Sequence, residues 1–312
     1  MVGAQAGLNW WNRWFFDALE KRDAAAALQA VPLFAGIVLA MAAIGVGIVW
    51  TRESLQVRWR AWLVERLVGT WLGGHRFYHM GLDRTEPANP EYRIADDSRW
   101  ATEPLTDIVI GLLEATVAFI TFVGILWTVG GAYTLAIGGS QVTIPAYMVV
   151  AALAYGITAS VLMAWIGRPL VGTVGNKNAA EGYFRFALTR ARENGESIAL
   201  MRGAEAERRV PGGIYGVVVE RWLRIARQHA NLTWITNAVG PMTPIVPLLI
   251  AAPKYLAGEL SLGQVTQLAA AFIQVQMAIS WVVNNYNRIA EWYGSARRVM
   301  DIVEAADAVE AR

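Results

Sequence analysis

His75 and His79 stand four residues apart, the spacing at which two imidazoles on one helix face can share a zinc ion. No glutamate lies between them as in H-E-x-x-H, and no third ligand stands nearby, so helix packing explains them better and no metal site is assigned. Asp107 and Glu114, seven residues apart, share a helical face inside an otherwise apolar stretch. An ionisable group within a membrane span costs a few kcal/mol and is by default a functional hypothesis. Asp107 falls near the end of that stretch, where an interfacial position accounts for it. Glu114 lies two turns deeper, and two roles fit it: a substrate or proton site on a central cavity, or a partner for a polar group on another span. Gln267, Gln274 and Asn285 also share a face, suited either to lining a translocation pathway or to hydrogen bonding between helices. There is no cysteine, hence no thiolate or disulfide framework, and no Ser/His/Asp or paired-carboxylate set. An intramembrane enzyme therefore lacks its catalytic residues.

The elements that must position these groups are apolar helices. The chain is 55% apolar and 17% charged, with a mean hydropathy of +0.34; soluble domains carry about 25% charge. Five stretches reach membrane length: about residues 31–50, 105–131, 142–166, 233–252 and 263–284. The fourth contains Pro241, Pro244 and Pro247, so a kink or local unwinding is expected there. The expected fold is all-α and polytopic. The charged, aromatic N-terminus precedes a full-length span without an A-x-A site, which does not fit a cleavable signal peptide.

Lysine and arginine set the orientation. Residues 51–104 hold eight and residues 168–232 hold eleven, whereas residues 1–30 hold three, 131–141 none and 253–262 one. The positive-inside rule places loops 51–104 and 168–232 and the C-terminus in the cytoplasm. Trp10, Trp11, Trp14, Phe15 and Phe16 suit an external amphipathic helix anchored at headgroup level.

Both long polar loops read as helical. Val57, Trp62, Leu63 and Leu67 alternate with Arg58, Arg60, Glu65 and Arg66. Further on, Phe184, Ala187, Ala191, Ile198 and Met201 form one stripe, with Glu181–Arg185 and Arg192–Glu196 spaced for i,i+4 pairs on another. Asn194-Gly195 interrupts this pattern with a turn signal. Helices that continue past the bilayer, turn and come back need something there to meet. Pores and simple carriers seldom need such stalks; a transporter driven by a cytosolic motor does.

Several stretches carry a resemblance. "NPEYRIADD" (89–97) is similar to the first-loop signature of the SbmA/BacA-like ABC transporter membrane domains, a family related to YddA-type bacterial permeases and peroxisomal acyl-CoA half-transporters. "EGYFRFALTRARENGESIALMRGAEAE" (181–207) resembles their EAA-like second-loop segment, and "IGRPLVGTVGNKNAAEG" (166–182) the helix leading into it. "AAPKYLAGELSLGQVTQLAAAFIQV" (251–275) resembles their last external turn and final span, and "LNWWNRWFFDALEKRDAAA" (8–26) the segment after their first span. The likeness covers nearly the whole chain in the expected order.

This resemblance implies an ABC exporter-type transmembrane domain with long cytoplasmic helical extensions. The family has six spans, so five present of six lead to the expectation that a first span precedes residue 1, lost by truncation or a misplaced start codon. Residues 1–30 would be an external amphipathic segment, 31–290 the transmembrane domain, and 291–312 a linker toward a nucleotide-binding domain. No G-x-x-x-x-G-K-[ST] occurs, so ATP and Mg are expected in that other domain, with no cofactor in these residues. In the family the two loop tips are coupling helices lodged in the motor. The matching positions are Asn89, Pro90, Arg93, Ile94 and Asp97 in the first loop, and Arg192, Glu193, Asn194, Gly195 and Glu196 in the second. Glu193, Glu196, Arg93 and Asp97 could pair with motor charges, or be merely solvated. Glu114, Gln267, Gln274 and Asn285 are the pathway candidates. The implied partners are the lipid bilayer, a second copy of the chain and the motor domain, with no nucleic acid; the implied location is the bacterial inner membrane. The implied cargo is an amphipathic solute such as a peptide, a cobalamin-like compound or an acyl derivative. The alternative within the family is a proton-driven SbmA/BacA-type peptide carrier without an ATPase; "ENGESIA" (193–199) is closer to the ATPase-bearing branch.

Overall fold

The structure, a computed structural model, describes residues 1–82, 90–137 and 140–310. In chain order its elements are α1 (Val2–Glu20), α2 (Ala24–Leu72), α3 (Arg76–Leu82), α4 (Pro90–Tyr92) running into a π-helical turn (Arg93–Asp97), and α5 (Ser98–Gly130). Strands β1 (Tyr133–Ile137) and β2 (Ser140–Ile144) follow, then α6 (Tyr147–Glu193), α7 (Gly195–Leu200), α8 (Ala204–Leu256) and α9 (Leu262–Glu310). Among the described residues, five helices are long and apolar enough to cross a membrane, and the fold is the expected all-α, multi-pass one. Helices α2 and α9, 49 residues each, are each about 74 Å long at 1.5 Å per residue. That is more than twice a bilayer's apolar core of about 30 Å, so both must protrude.

The chain forms two compact units, Met1–Gly156 with Pro244–Arg312, and Ile157–Thr243. In the first, α1 turns into α2 through Arg22, whose φ of 55° is left-handed. Asp23 then caps α2, accepting from the backbone N–H of Ala25 and Ala26 at 3.1 and 3.0 Å. The aromatic cluster of α1 divides: Trp11 donates to the carbonyl of Ala30 at 2.8 Å and packs with Phe15 and Phe34, while Trp10 is exposed and stacks on Trp14. The main core joins Phe122 and Leu126 of α5, Met148 and Ala152 of α6, Ala251 of α8, and Leu268, Phe272 and Val275 of α9. Small residues permit the close approaches. A Cβ on Gly111 would sit 2.8 Å from the indole nitrogen of Trp281, and one on Gly156 2.6 Å from the Gln276 amide oxygen. A second, smaller cluster gathers Leu67, Ile94, Ala101, Val299 and Ile302.

Two sequence expectations change, and a third stretch gains a defined structure. Residues 142–144, read as the start of the third span for their apolar and β-branched character, belong to an antiparallel hairpin (Tyr133↔Ile144, Ile137↔Ser140), and the helix begins at Tyr147. Pro241, Pro244 and Pro247 lie within the unbroken helical run of α8, so no local unwinding occurs. Away from water, keeping the remaining backbone bonds is cheaper than opening a turn. Residues 291–310, read as a linker, continue α9, and Val299, Ile302 and Ala306 are buried.

In the second unit, α6 and α8 pair as an antiparallel hairpin. The contacts step in opposite directions along the two helices: Arg190 with Glu207, Phe184 with Tyr215, Lys177 over Trp222 and Gly167 near Leu232. The expected Glu181–Arg185 pair is corrected here, because Glu181 pairs with Lys177, four residues earlier, at 2.9 Å. The break at Asn194 takes Arg192 and Glu196 off a common helix.

Candidate functional site

The two charged segments that the sequence singled out are built in opposite ways. In the first, the π-helical turn directs Ile94 and Asp97 inward. Asp97 is 1% exposed and accepts from Arg298 Nε at 2.8 Å and Nη2 at 2.6 Å, a two-pronged guanidinium–carboxylate pair. The hydrogen bond that Arg298 donates to Asp97 raises the Arg298 pKa above its ordinary value. Arg93 donates to Asp301 at 2.6 Å and to the Arg298 carbonyl at 2.9 Å. Ile94 packs with Val299 and Ile302. Arg93 and Asp97 thus both have partners on α9 within the chain. A buried carboxylate needs a partner, and α9 lies alongside to supply one. Pro90 opens α4 beside this turn, and Asn89 lies outside the described residues.

One step further along, Asp107 joins three helices. It accepts from Gln56 of α2 at 3.0 Å, lies 3.4 Å from Arg52 of α2, and pairs with Arg288 of α9. Trp292 of α9 donates to the Ala101 carbonyl at 3.0 Å nearby. Sequence reasoning passed over Asp107 as interfacial. Its cationic partners lie 55 residues before and 181 after it, separations at which no local pattern operates.

The second segment faces outward. Helix α6 ends at Glu193; Asn194, with φ −97° and ψ 17°, breaks it, and its side chain returns to the Arg190 carbonyl at 2.8 Å. The six-residue α7 follows, and then a turn through Arg202 at φ 51° starts α8. Arg192, Glu193, Asn194, Gly195 and Glu196 are all exposed. So are Leu200 and Met201, at 79% and 74%. A short helix carrying both charge and uncovered apolar side chains is shaped to seat in a groove of another surface.

The membrane-level candidates scatter. Glu114 is half-buried on an apolar groove of about 760 Å³ lined by Ile48, Leu55, Val109, Leu113 and Val117, and among the described residues no polar group meets it. Gln267, 6% exposed, is packed against α1, where its backbone carbonyl accepts from Asn9 at 3.0 Å. Gln274 is half-buried, and Asn285 donates to the Trp281 carbonyl one turn back. The glutamine that ties two helices is Gln276, which the sequence did not distinguish; it donates to the Ala152 carbonyl at 2.6 Å. At the opposite end of α9 from Arg298, Glu20 and Asp17 of α1 accept from the N–H groups of Leu262 and Gly263 at 2.9 and 3.0 Å. Lys254, nearly buried, donates to the Gly130 carbonyl at 3.1 Å and closes the end of α5. His75 adopts φ 61° in the break before α3, which takes it off a common helix with His79. Among the described residues no group of three or more His, Cys, Asp or Glu could hold a metal ion.

A family model described as ABC transporter transmembrane region 2 matches residues 7–256. The chain is 25% identical over 293 residues to the inner membrane ABC transporter ATP-binding protein YddA of Escherichia coli, covering 93% of this chain and 52% of the relative. It is 29% identical over 296 residues to an uncharacterized ABC transporter ATP-binding protein of Synechocystis, covering 94% and 42%. To the chloroplastic ABC transporter D family member 2 of Arabidopsis thaliana it is 25% identical over 312 residues, covering 98% and 41%. The chain thus spans about half or less of the length of these relatives.

Proposed function

This chain belongs to the ABC transporter transmembrane region 2 family, and on that premise we propose that it is the permease domain of a homodimeric half-transporter. Two copies form one pathway that moves an amphipathic solute, such as a peptide, a cobalamin-like compound or an acyl derivative, across a bacterial inner membrane. The energy comes from ATP and Mg in a nucleotide-binding domain outside these 312 residues. Two points support this: the relatives named above are ATP-binding proteins longer than this chain, and no G-x-x-x-x-G-K-[ST] occurs in it. The lysine and arginine distribution supports a cytoplasmic location for loops 51–104 and 168–232 and for the C-terminus.

The observation that carries the reading is the tip between α6 and α8. Helix α7 stands at the end of a paired helical stalk with its charges and its Leu200 and Met201 uncovered. Arg192, Glu193, Asn194, Gly195 and Glu196 form the contact with the motor. Of the first-loop coupling residues, Arg93, Ile94 and Asp97 hold α9, so a push received at that end is carried into the helix that packs along α5.

The test uses the full-length protein in proteoliposomes. Glu196→Arg reverses one charge at the tip, and transport is expected to fall about tenfold, the equivalent of 1.4 kcal/mol, while helix content and thermal unfolding are unchanged. A cysteine at Ser197 is expected to crosslink to the nucleotide-binding domain. Unchanged transport by Glu196→Arg, or crosslinks that form only from the outer face, would overturn the reading. Uptake that survives ATP depletion and collapses with a protonophore would select the proton-driven carrier instead.

A further inference from the structure

In the second unit, α6 and α8 flank a half-open cleft of about 460 Å³ lined by residues of polar type. Thr173 and Asn176 come from α6; Arg221, Arg224, Arg227 and Asn231 come from α8, with Gln228 between them. Residues 221, 224, 228 and 231 recur at helical spacing, so one face of α8 is turned to the cleft. No carboxylate lines it. Glu220 pairs with Arg224 from outside the lining, and Arg221 donates to the Asn176 carbonyl, which leaves most of its guanidinium donors free. Arg227 has no ion pair among the described residues. With Arg224 balanced by Glu220, Arg221 and Arg227 bring uncompensated positive charge to one space, which favours an anion there.

Depth identifies the anion. Asn231 lies two residues from the start of the apolar stretch 233–252, and Arg221 twelve. On a helix these are about 3 and 18 Å beyond the apolar core. Thr173 and Asn176 lie seven and ten residues past the stretch ending at residue 166, or about 10 and 15 Å out. Headgroup phosphates lie within about 8 Å of the apolar core. Asn231 is at that level, and so, along their apolar stems, are the Arg227 and Arg224 head groups, while Arg221 and Asn176 stand at the outer rim. Basic pockets between helices at this level hold phosphate-bearing headgroups.

We propose that Arg221, Arg224 and Arg227, with Asn176 and Asn231, form a binding site for a phosphate ester, and that its occupant is the headgroup of an anionic phospholipid. The cytoplasmic leaflet as its source rests on the orientation proposed above; the phosphate chemistry does not. Bound there, the lipid bridges α6 and α8 at the base of the stalk that ends in α7.

The full-length protein is placed in nanodiscs of phosphatidylcholine with and without phosphatidylglycerol, and the retained lipid is counted by native mass spectrometry. Phosphatidylglycerol is expected to be enriched on the unaltered protein. Each arginine removed should lower that enrichment about fivefold, and Arg221→Gln/Arg224→Gln/Arg227→Gln should abolish it. The exposed pair Arg208→Gln/Arg209→Gln, outside the cleft, should leave it unchanged. If the triple variant does not fold, the single Arg227→Gln, whose side chain holds no ion pair, carries the test. Competition with soluble glycerol phosphate separates the sources: no displacement identifies the lipid, whereas full displacement keeps the phosphate site and assigns it to a soluble ester. Equal enrichment in the cleft variants and the unaltered protein, or equal loss in the Arg208/Arg209 control, would overturn the site. Neither result touches the permease reading, which the α7 variants test separately.

Discussion

The two charged segments have comparable sequences and opposite fates. Residues 90–97 and 192–201 both mix arginine with acidic and apolar side chains, yet Asp97 is 1% exposed and Leu200 79%. The difference lies in what runs beside them. Helix α9 passes the first segment and offers Arg298, Asp301, Val299 and Ile302, so its charges are neutralised and its Ile94 is covered. Nothing among the described residues covers the second beyond its own hairpin. Charge in a polar loop therefore does not by itself mark a docking surface. What distinguishes one is charge and apolar side chains that remain uncovered once the chain's own helices have been packed.

The strongest way to break this contrast is to release the clamp. Arg298→Ala leaves Asp97 buried with its main cation gone, and losing one partner of such a pair costs about 3 kcal/mol. Thermal unfolding in detergent should drop sharply, and Asp97→Leu in the same chain should restore part of the loss, because an uncharged side chain no longer needs the guanidinium. Glu196→Arg at the tip should leave the same curve within about 0.5 kcal/mol, as exposed substitutions usually do. If Arg298→Ala proved as mild as the tip variant, the inward role of the first segment would be lost.

The far end of α9 tests whether the clamp acts alone. A Cβ on Gly263 would overlap the Arg13 carbonyl and the Asp17 carboxylate, where α1 crosses the start of the helix. Gly263→Ala must push α1 away and stretch the bonds that Asp17 and Glu20 make to Gly263 and Leu262. A cost of about 1–3 kcal/mol is expected, with faster hydrogen exchange confined to α1 and the first turn of α9. Exchange that spread instead to residues 93–97 would mean that the two ends of α9 open as one unit.

Much of the fold was legible because membrane helices announce themselves by length and composition. Each of the five spans corresponds to one long helix, apart from the first residues of the third, and the turn signal Asn194-Gly195 marks the observed break. The β-hairpin was not legible, because a short apolar, β-branched run reads equally well as the beginning of a span. The partner choices were illegible for a different reason. Arg93 with Asp301, Asp107 with Arg288 and Asp97 with Arg298 join residues about 180–210 positions apart, and one sequence has no periodicity that couples such distances. Glu181 and Arg192 were given partners four residues on, but Glu181 takes the lysine four residues back instead, and the break at Asn194 takes Arg192 and Glu196 off a common helix.

The smallest expected effect concerns the stalk itself. Arg190 meets Glu207 at 3.5 Å across the base of the α7 turn, with side chains 51% and 30% exposed. In that setting an ion pair contributes at most about 0.5 kcal/mol, and less in salt. Glu207→Gln should therefore leave unfolding nearly unmoved. A coupling peg, however, needs its two helices held in register, and Phe184 against Tyr215 lies two turns deeper than this pair. If the aromatic contact sets the register, exchange of the α7 amides will be the same with and without Glu207. If those amides exchange severalfold faster in Glu207→Gln, the ion pair fixes the tip, and the exposed segment is then clamped from within its own hairpin as the first segment is clamped by α9.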